Sequence, residues 1–154
     1  MCGALSVVCV ELVFSENSYF PELFISVNGG ITNLEQAKEH LRKADGVMVG
    51  RAAYQAPFML SRVDTEIFQE GKNPVETRDE VIELLLPYAE RYVKNGGKLS
   101  HITRHILDLY TGLPGARSFR RILSQEAVRP GAGTEVIIRA RDAVLKAATA
   151  VNPD

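Results

Sequence analysis

Two glycine-bearing stretches carry the residues best suited to holding an anion. Asn28-Gly29-Gly30 ends the apolar run Phe24-Ile25-Ser26-Val27, and Gly50-Arg51 ends the run Gly46-Val47-Met48-Val49. Glycine lets a backbone approach a ligand closely, and unpaired N–H groups beside a helix N-terminus attract negative charge. Arg51 adds a fixed positive charge. One reading of the pair is a phosphate grip. The other is that the glycines only turn the chain and Arg51 pairs with an acid, because glycine-rich turns are common in α/β units.

A second group lies further on. From Lys98 to Arg121 the basic residues are Lys98, Arg104, Arg117, Arg120 and Arg121, and the only acid is Asp108. Arg117 and Arg120 are three apart and share one helix face. That arrangement suits the phosphate oxygens of a nucleic acid, and it equally describes a solvated helix face. His101 and His105 have the spacing of two metal ligands on a helix. No Glu stands between them in the HExxH manner and no third ligand is evident, so surface histidines without a metal are expected. Cys2 and Cys9 fit no zinc or redox spacing, which points to reduced thiols in the cytoplasm.

The elements that position these residues follow from periodicity. Two short apolar runs joined by a helix predict parallel strands buried on both faces, with their glycine turns at the same carboxyl edge. Thr32 and Glu35 form a capping box that starts the helix near Asn33, with Leu34, Ala37, Leu41 and Ala44 as its stripe. Pro57 suits a first helical turn, followed by the amphipathic run Phe58, Leu60, Val63, Ile67 and Phe68. Gly71-Lys72-Asn73-Pro74 is a loop and the best boundary.

Everything after that loop reads as helix. Val81, Leu85, Tyr88 and Tyr92 give one apolar face, kinked by Pro87. Gly96-Gly97 ends it, and Ser100 caps a helix with the stripe Ile102, Ile106 and Leu109. Gly112-Leu113-Pro114-Gly115 makes a tight connection. A helix over about 117–126 buries Phe119, Ile122 and Leu123, and one over about 134–150 buries Val136, Ile137, Ala140, Val144 and Leu145. Residues 1–20 are an atypical start, with one strand suggested between Leu5 and Phe14. They lack the basic leader of a signal peptide.

The totals bound the answer further. A chain of 154 residues, 45% apolar and 24% charged, is about one globular domain. With net charge −1, any nucleic-acid surface is local. No apolar run is long enough for a membrane span.

Four segments in this order narrow the field: Ser26-Val27-Asn28-Gly29-Gly30-Ile31, Asp45-Gly46-Val47-Met48-Val49-Gly50-Arg51-Ala52-Ala53-Tyr54, His101-Ile102-Thr103-Arg104-His105, and Gly112-Leu113-Pro114-Gly115-Ala116-Arg117-Ser118-Phe119-Arg120-Arg121. Together they resemble the carboxyl-terminal part of the tRNA-dihydrouridine synthases, closest to the A subfamily, from about residue 21 to 148. The resemblance implies an α/β plus all-α chain: the last two β/α units of a TIM (β/α)8 barrel at 21–71, then a helical bundle domain that binds tRNA at 74–150. It implies FMN as cofactor, NADPH as reductant and uridine of the tRNA D-loop as substrate. Asn28, Gly29, Gly30, Gly50 and Arg51 match the family's FMN-phosphate loops, and Arg117 and Arg120 match its tRNA-contacting arginines.

The family's Asn-x-Gly-Cys-Pro motif, which carries the catalytic cysteine, is absent from these residues, and Ala56 stands before Pro57 where the family usually has Asn. No catalytic residue is therefore assigned, and a truncated portion inactive by itself is expected. The alternatives are a non-catalytic tRNA-binding module and a non-functional truncated product. A cut barrel also leaves Phe24, Val27, Val47 and Val49 without partner layers, so residues 74–150 should fold best.

Overall fold

The computed structural model describes residues 22–151. The strand expected between Leu5 and Phe14, with Cys2 and Cys9, lies outside the described residues. What is described is a helix-rich α/β chain with a two-stranded parallel sheet.

β1 (Ser26–Asn28) and β2 (Gly46–Met48) pair in parallel, with Ser26 opposite Gly46, Val27 opposite Val47 and Asn28 opposite Met48. A parallel pair needs a crossover, and α1 (Leu34–Leu41) supplies it. Asn33 caps α1, its side chain accepting from the Gln36 N–H at 2.8 Å. Gln36 Oε1 in turn accepts from the Thr32 N–H at 2.9 Å. The cap expected on Thr32 thus falls one residue later, on Asn33, and the returning side chain is Gln36, which bonds the N–H before the cap rather than that of the cap itself. Asn caps at least as well as Thr, and a glutamine three residues on reaches back as a glutamate would.

The strands are not buried on both faces. Val27 is 2% exposed, whereas Phe24 is 77% and Met48 56% exposed. The crossover helix covers one face only. Its buried cluster is Val27, Ile31, Ala37 and Ala44, with Val47, Val49 and Ile67 packed partly against it. After β2 come α2 (Arg51–Gln55), a 3-10 helix (Pro57–Arg62) and α3 (Val63–Glu66). Pro57 opens a helical turn as expected. Leu60 and Phe68 of the apolar run are exposed instead of buried.

α4 (Arg78–Lys94) starts at Thr77, whose hydroxyl accepts from the Glu80 N–H at 3.2 Å. It ends as a Schellman motif: Gly96, at φ +86°, donates to Val93, and Gly97 donates to Tyr92. Its inward line is Ile82 and Ala89. Val81, Leu85 and Tyr92 are half-buried and Tyr88 is exposed, so the core-facing stripe is rotated from the expected one.

α5 (Ser100–Thr103) is a single turn preceded by Leu99, and Ser100 makes no capping bond. Leu99, Ile102 and Leu109 are buried beneath it, and their burial holds the turn without a cap. α6 (Ala116–Glu126) and α7 (Glu135–Val151) pack along each other. Gly115 sits at φ +82°, and a Cβ there would lie 2.7 Å from Val144 Cα, so the approach of the two helices requires glycine. Phe119, Leu123, Val136, Ile137, Ala140 and Val144 are buried as the periodicity predicts, while Leu145 is exposed. Phe119 meets Tyr110 at 4.7 Å between ring centroids, and Tyr110 Oη donates to Asp79 Oδ1 at 2.5 Å.

Phe58 and Tyr54 join the sheet-bearing part to these helices. The Arg78 guanidinium lies 4.3 Å over the Phe58 ring while its Nε donates to the Leu109 carbonyl. Tyr54 of α2 reaches His105. Among the described residues, no helix is long and apolar enough to cross a membrane.

Candidate anion site and basic helix face

Because β1 and β2 run in the same direction, the chain leaves both at one edge of the sheet. The turn after β1 is Gly29-Gly30, with φ of +122° and +72°, a backbone path that glycine alone takes without strain. The turn after β2 leads through Gly50 into Arg51. Asn28, Gly29, Gly30, Gly50 and Arg51 all line one cavity of about 520 Å3, with Thr32, Met48 and Gln55 among their neighbours. A Cβ on Gly29, Gly30 or Gly50 would meet nothing within 4 Å. The space above each is open.

The electrostatics of this cavity are one-sided. Arg51 is exposed and makes no ion pair with a described residue. Among the described residues, the N–H groups of Gly30, Gly50, Arg51 and Ala52 find no hydrogen-bond acceptor. Unpaired backbone donors and a guanidinium line one space, and among the described residues no carboxylate does. Such a set matches the oxygens of a phosphate. Of the two readings open from the sequence, a partner acid for Arg51 is not found among the described residues.

The arginines of the helical half are differently placed. Arg117 and Arg120 are both exposed on α6. Arg120 is tied to Asp108 at 2.6 Å, and Arg117 makes no ion pair with a described residue. His101 and His105 do not converge on a common point. His101 Nδ1 lies 3.1 Å from Tyr92 Oη, and His105 Nδ1 lies 3.0 Å from Tyr54 Oη. Among the described residues no group of three or more His, Cys, Asp or Glu is placed to hold a metal ion. The tyrosine partners escape sequence reasoning: Tyr92 reads as an apolar helix position, and Tyr54 falls within the segment Asp45 to Tyr54 without a role of its own. Tyr54 stands one helical turn beyond Arg51, in the same segment, and that proximity is a signal that it belongs beside the site.

Comparison with known proteins identifies the chain's kin. Residues 16–148 match the family model described as dihydrouridine synthase. The chain belongs to the dihydrouridine synthase family. It is 53% identical over 127 residues to a tRNA-dihydrouridine(20/20a) synthase of Shewanella oneidensis, a match covering 82% of this chain and 38% of that protein. The synthase of the same name from Vibrio cholerae is 50% identical over 121 residues, covering 79% and 37% of the two chains. That of Synechocystis is 44% identical over 127 residues, covering 82% and 38%. The chain therefore spans a little over a third of the length of these dihydrouridine synthases. The family match includes both the cavity and the arginine-bearing helix α6.

Proposed function

We propose that this chain is the carboxyl-terminal portion of a flavin-dependent tRNA-dihydrouridine synthase. In this reading residues 21–71 are the last two β/α units of a (β/α)8 barrel, and 74–150 are a helical domain that binds tRNA in the cytoplasm. The observation that carries it is the single cavity shared by the two glycine turns and Arg51. In (β/α)8 enzymes the loops after the last two strands commonly hold a phosphate. Asn28, Gly29, Gly30, Gly50 and Arg51 would hold the phosphate of FMN through backbone donors and one guanidinium. The open space above the glycines and the absence of a carboxylate among the described lining residues both fit that group. When bound, FMN supplies the redox chemistry by which the family, with NADPH as reductant, converts uridine to dihydrouridine.

This chain's own contribution is binding and orientation. Arg51 neutralises the phosphate and the glycine amides fix its position. Arg117 and Arg120 offer adjacent positive charges to the tRNA backbone, with Arg120 pre-oriented by Asp108. No proton donor is assigned, because these residues contain no Asn-x-Gly-Cys-Pro segment. The exposed Arg117 and Arg120 on α6 support a second reading, a tRNA-binding module without chemistry of its own.

Titration with FMN and with riboflavin, which lacks the phosphate, tests the grip. FMN should bind at least tenfold more tightly, and Arg51→Ala should abolish the preference while leaving the urea midpoint within the small range of surface substitutions. Equal affinity for the two flavins would sink the phosphate assignment.

A further inference from the structure

We propose that the groove between α4 and the turn following α5 seats one unpaired nucleotide of an RNA strand. The proposal rests on the RNA-binding reading above and assigns a contact that reading does not include. The groove has a volume of about 490 Å3, within the range of small-ligand pockets. Tyr88, Tyr92, His101, Arg104 and His105 line it over an apolar floor, and among the described residues no carboxylate does.

Each wall has a chemistry that a nucleotide matches. Tyr88 and Tyr92 lie side by side, ring centroids 6.2 Å apart and planes inclined by 23°. Tyr88 is 51% exposed, and its side chain has no hydrogen bond to a described residue. An exposed tyrosine face backed by a second ring is a stacking platform for a base. Only an unstacked base can reach such a platform, which selects a single strand or loop over a duplex.

The opposite wall is cationic and held in place. Arg104 Nε donates to His105 Nε2 at 3.0 Å. Arginine cannot accept, so Nε2 is the bare nitrogen and the neutral imidazole carries its proton on Nδ1. That proton is directed to Tyr54 Oη at 3.0 Å. Arg104 is exposed and forms no ion pair with a described residue, so its terminal nitrogens remain for a phosphate oxygen. Tyr54 sits three residues after Arg51 on α2. The nucleotide seat is thereby fastened to the helix that carries the anion-holding guanidinium.

The test uses fluorescence anisotropy of the full chain with three probes: an unmodified tRNA transcript, a uridine-rich single-stranded RNA and an RNA duplex. Tyr88→Leu should weaken tRNA and single-strand binding about tenfold and leave duplex binding and the salt slope unchanged. Arg104→Met should lower the slope of log K against log salt by about one. Both positions are exposed. Tyr92 is avoided because its ring packs where a Cβ on Gly97 would sit, 2.2 Å away. If both variants bind like the parent while the double substitution Arg117→Ala, Arg120→Ala weakens tRNA binding, the groove is not a nucleotide seat and the RNA-binding reading stands. If the parent chain fails to bind tRNA at all, the seat and that reading fall together.

Discussion

The sheet-bearing part and the helical part solve the same burial problem with unequal means. Among the described residues the helical part gathers thirteen buried residues into one cluster, including Phe119, Ile82, Leu99 and Leu123, while the sheet-bearing part gathers four. Around the smaller cluster Phe24, Met48 and Phe68 face outward. Three-residue strands covered by one helical layer cannot bury large side chains on both faces. Four helices and their connecting turns can, because each contributes apolar residues to one interior. The difference teaches where rigidity resides. The anion cavity is built from glycine backbone on the thinner part, and the residues that fasten it, Tyr54 and Phe58, reach across to the thicker one.

The largest expected effect puts that contrast at risk. Phe119→Ala removes a fully buried ring and its contact with Tyr110, and should cost about 3–5 kcal/mol. Val27→Ala, in the smaller cluster, removes two buried carbons and should cost about 1.5 kcal/mol. Urea unfolding measures both. Equal losses would mean that the two parts share one cooperative core. Amide exchange sharpens the point, with residues of α4, α6 and α7 expected to be protected longer than those of β1 and β2.

Next in size is Gly115→Ala. The new methyl would lie 2.7 Å from Val144 Cα at a φ of +82°, so both sterics and backbone oppose it. A loss of roughly 1–3 kcal/mol is expected. Alanine at Gly112, also at positive φ but with nothing within 4 Å, isolates the backbone contribution and should cost less. If the two variants are equally destabilised, close packing of α6 on α7 is not what demands glycine at 115.

The comparison also explains what was legible in the sequence. Helices α6 and α7 could be read from periodicity alone, because Phe119, Leu123, Val136, Ile137, Ala140 and Val144 recur at helical spacing and share one interior. The order strand, helix, strand was legible for the same reason, and so was the meeting of Asn28, Gly29, Gly30, Gly50 and Arg51. A parallel pair brings both carboxyl ends to one edge whatever the side chains. Other features were not, three of them for clear physical reasons. The one-residue shift of the cap to Asn33 turns on a choice between two adjacent good capping residues. The rotation of the α4 stripe to Ile82 and Ala89 depends on which neighbour the helix meets, and an amphipathic pattern with tyrosines at its margin does not fix that. The exposure of Met48 depends on how many layers cover the strands, a property of the tertiary arrangement rather than of the run itself; of the residues expected to lose their partner layers, Phe24 is exposed but Val27 is buried, because the crossover helix covers it.

Tyr110 offers a pH-dependent effect on the larger core. Burial, with the carboxylate of Asp79 beside it, pushes its phenol well above the ordinary tyrosine range. Its folded pKa is raised, so the stabilisation is complete below the unfolded value near 10. As pH rises past that value the unfolded chain loses the proton first, and stability falls by up to about 1.4 kcal/mol per pH unit. Tyr110→Phe should remove this alkaline decline while lowering stability at neutral pH through loss of the bond to Asp79. Urea midpoints across the alkaline range would show it. An unchanged slope would mean that Tyr110 is not the group titrating.

The smallest effect belongs to the thinner part. Glu66 joins α3 to α1 through Lys38 at 2.6 Å and also meets Arg62 at 3.1 Å. The Lys38 hydrogen bond, with the nearby charges, holds its carboxyl below the ordinary range. A lowered folded pKa contributes stability above the unfolded value and loses it as pH falls through the folded one. Lys38→Met should therefore raise the Glu66 titration midpoint, read from side-chain carboxyl chemical shifts, and flatten the acid limb of stability. The midpoint of urea unfolding at neutral pH should barely move, because exposed ion pairs are screened by water and salt. A large loss of stability from this one substitution would show that the sheet-bearing part depends on its surface charges for what its small core does not supply.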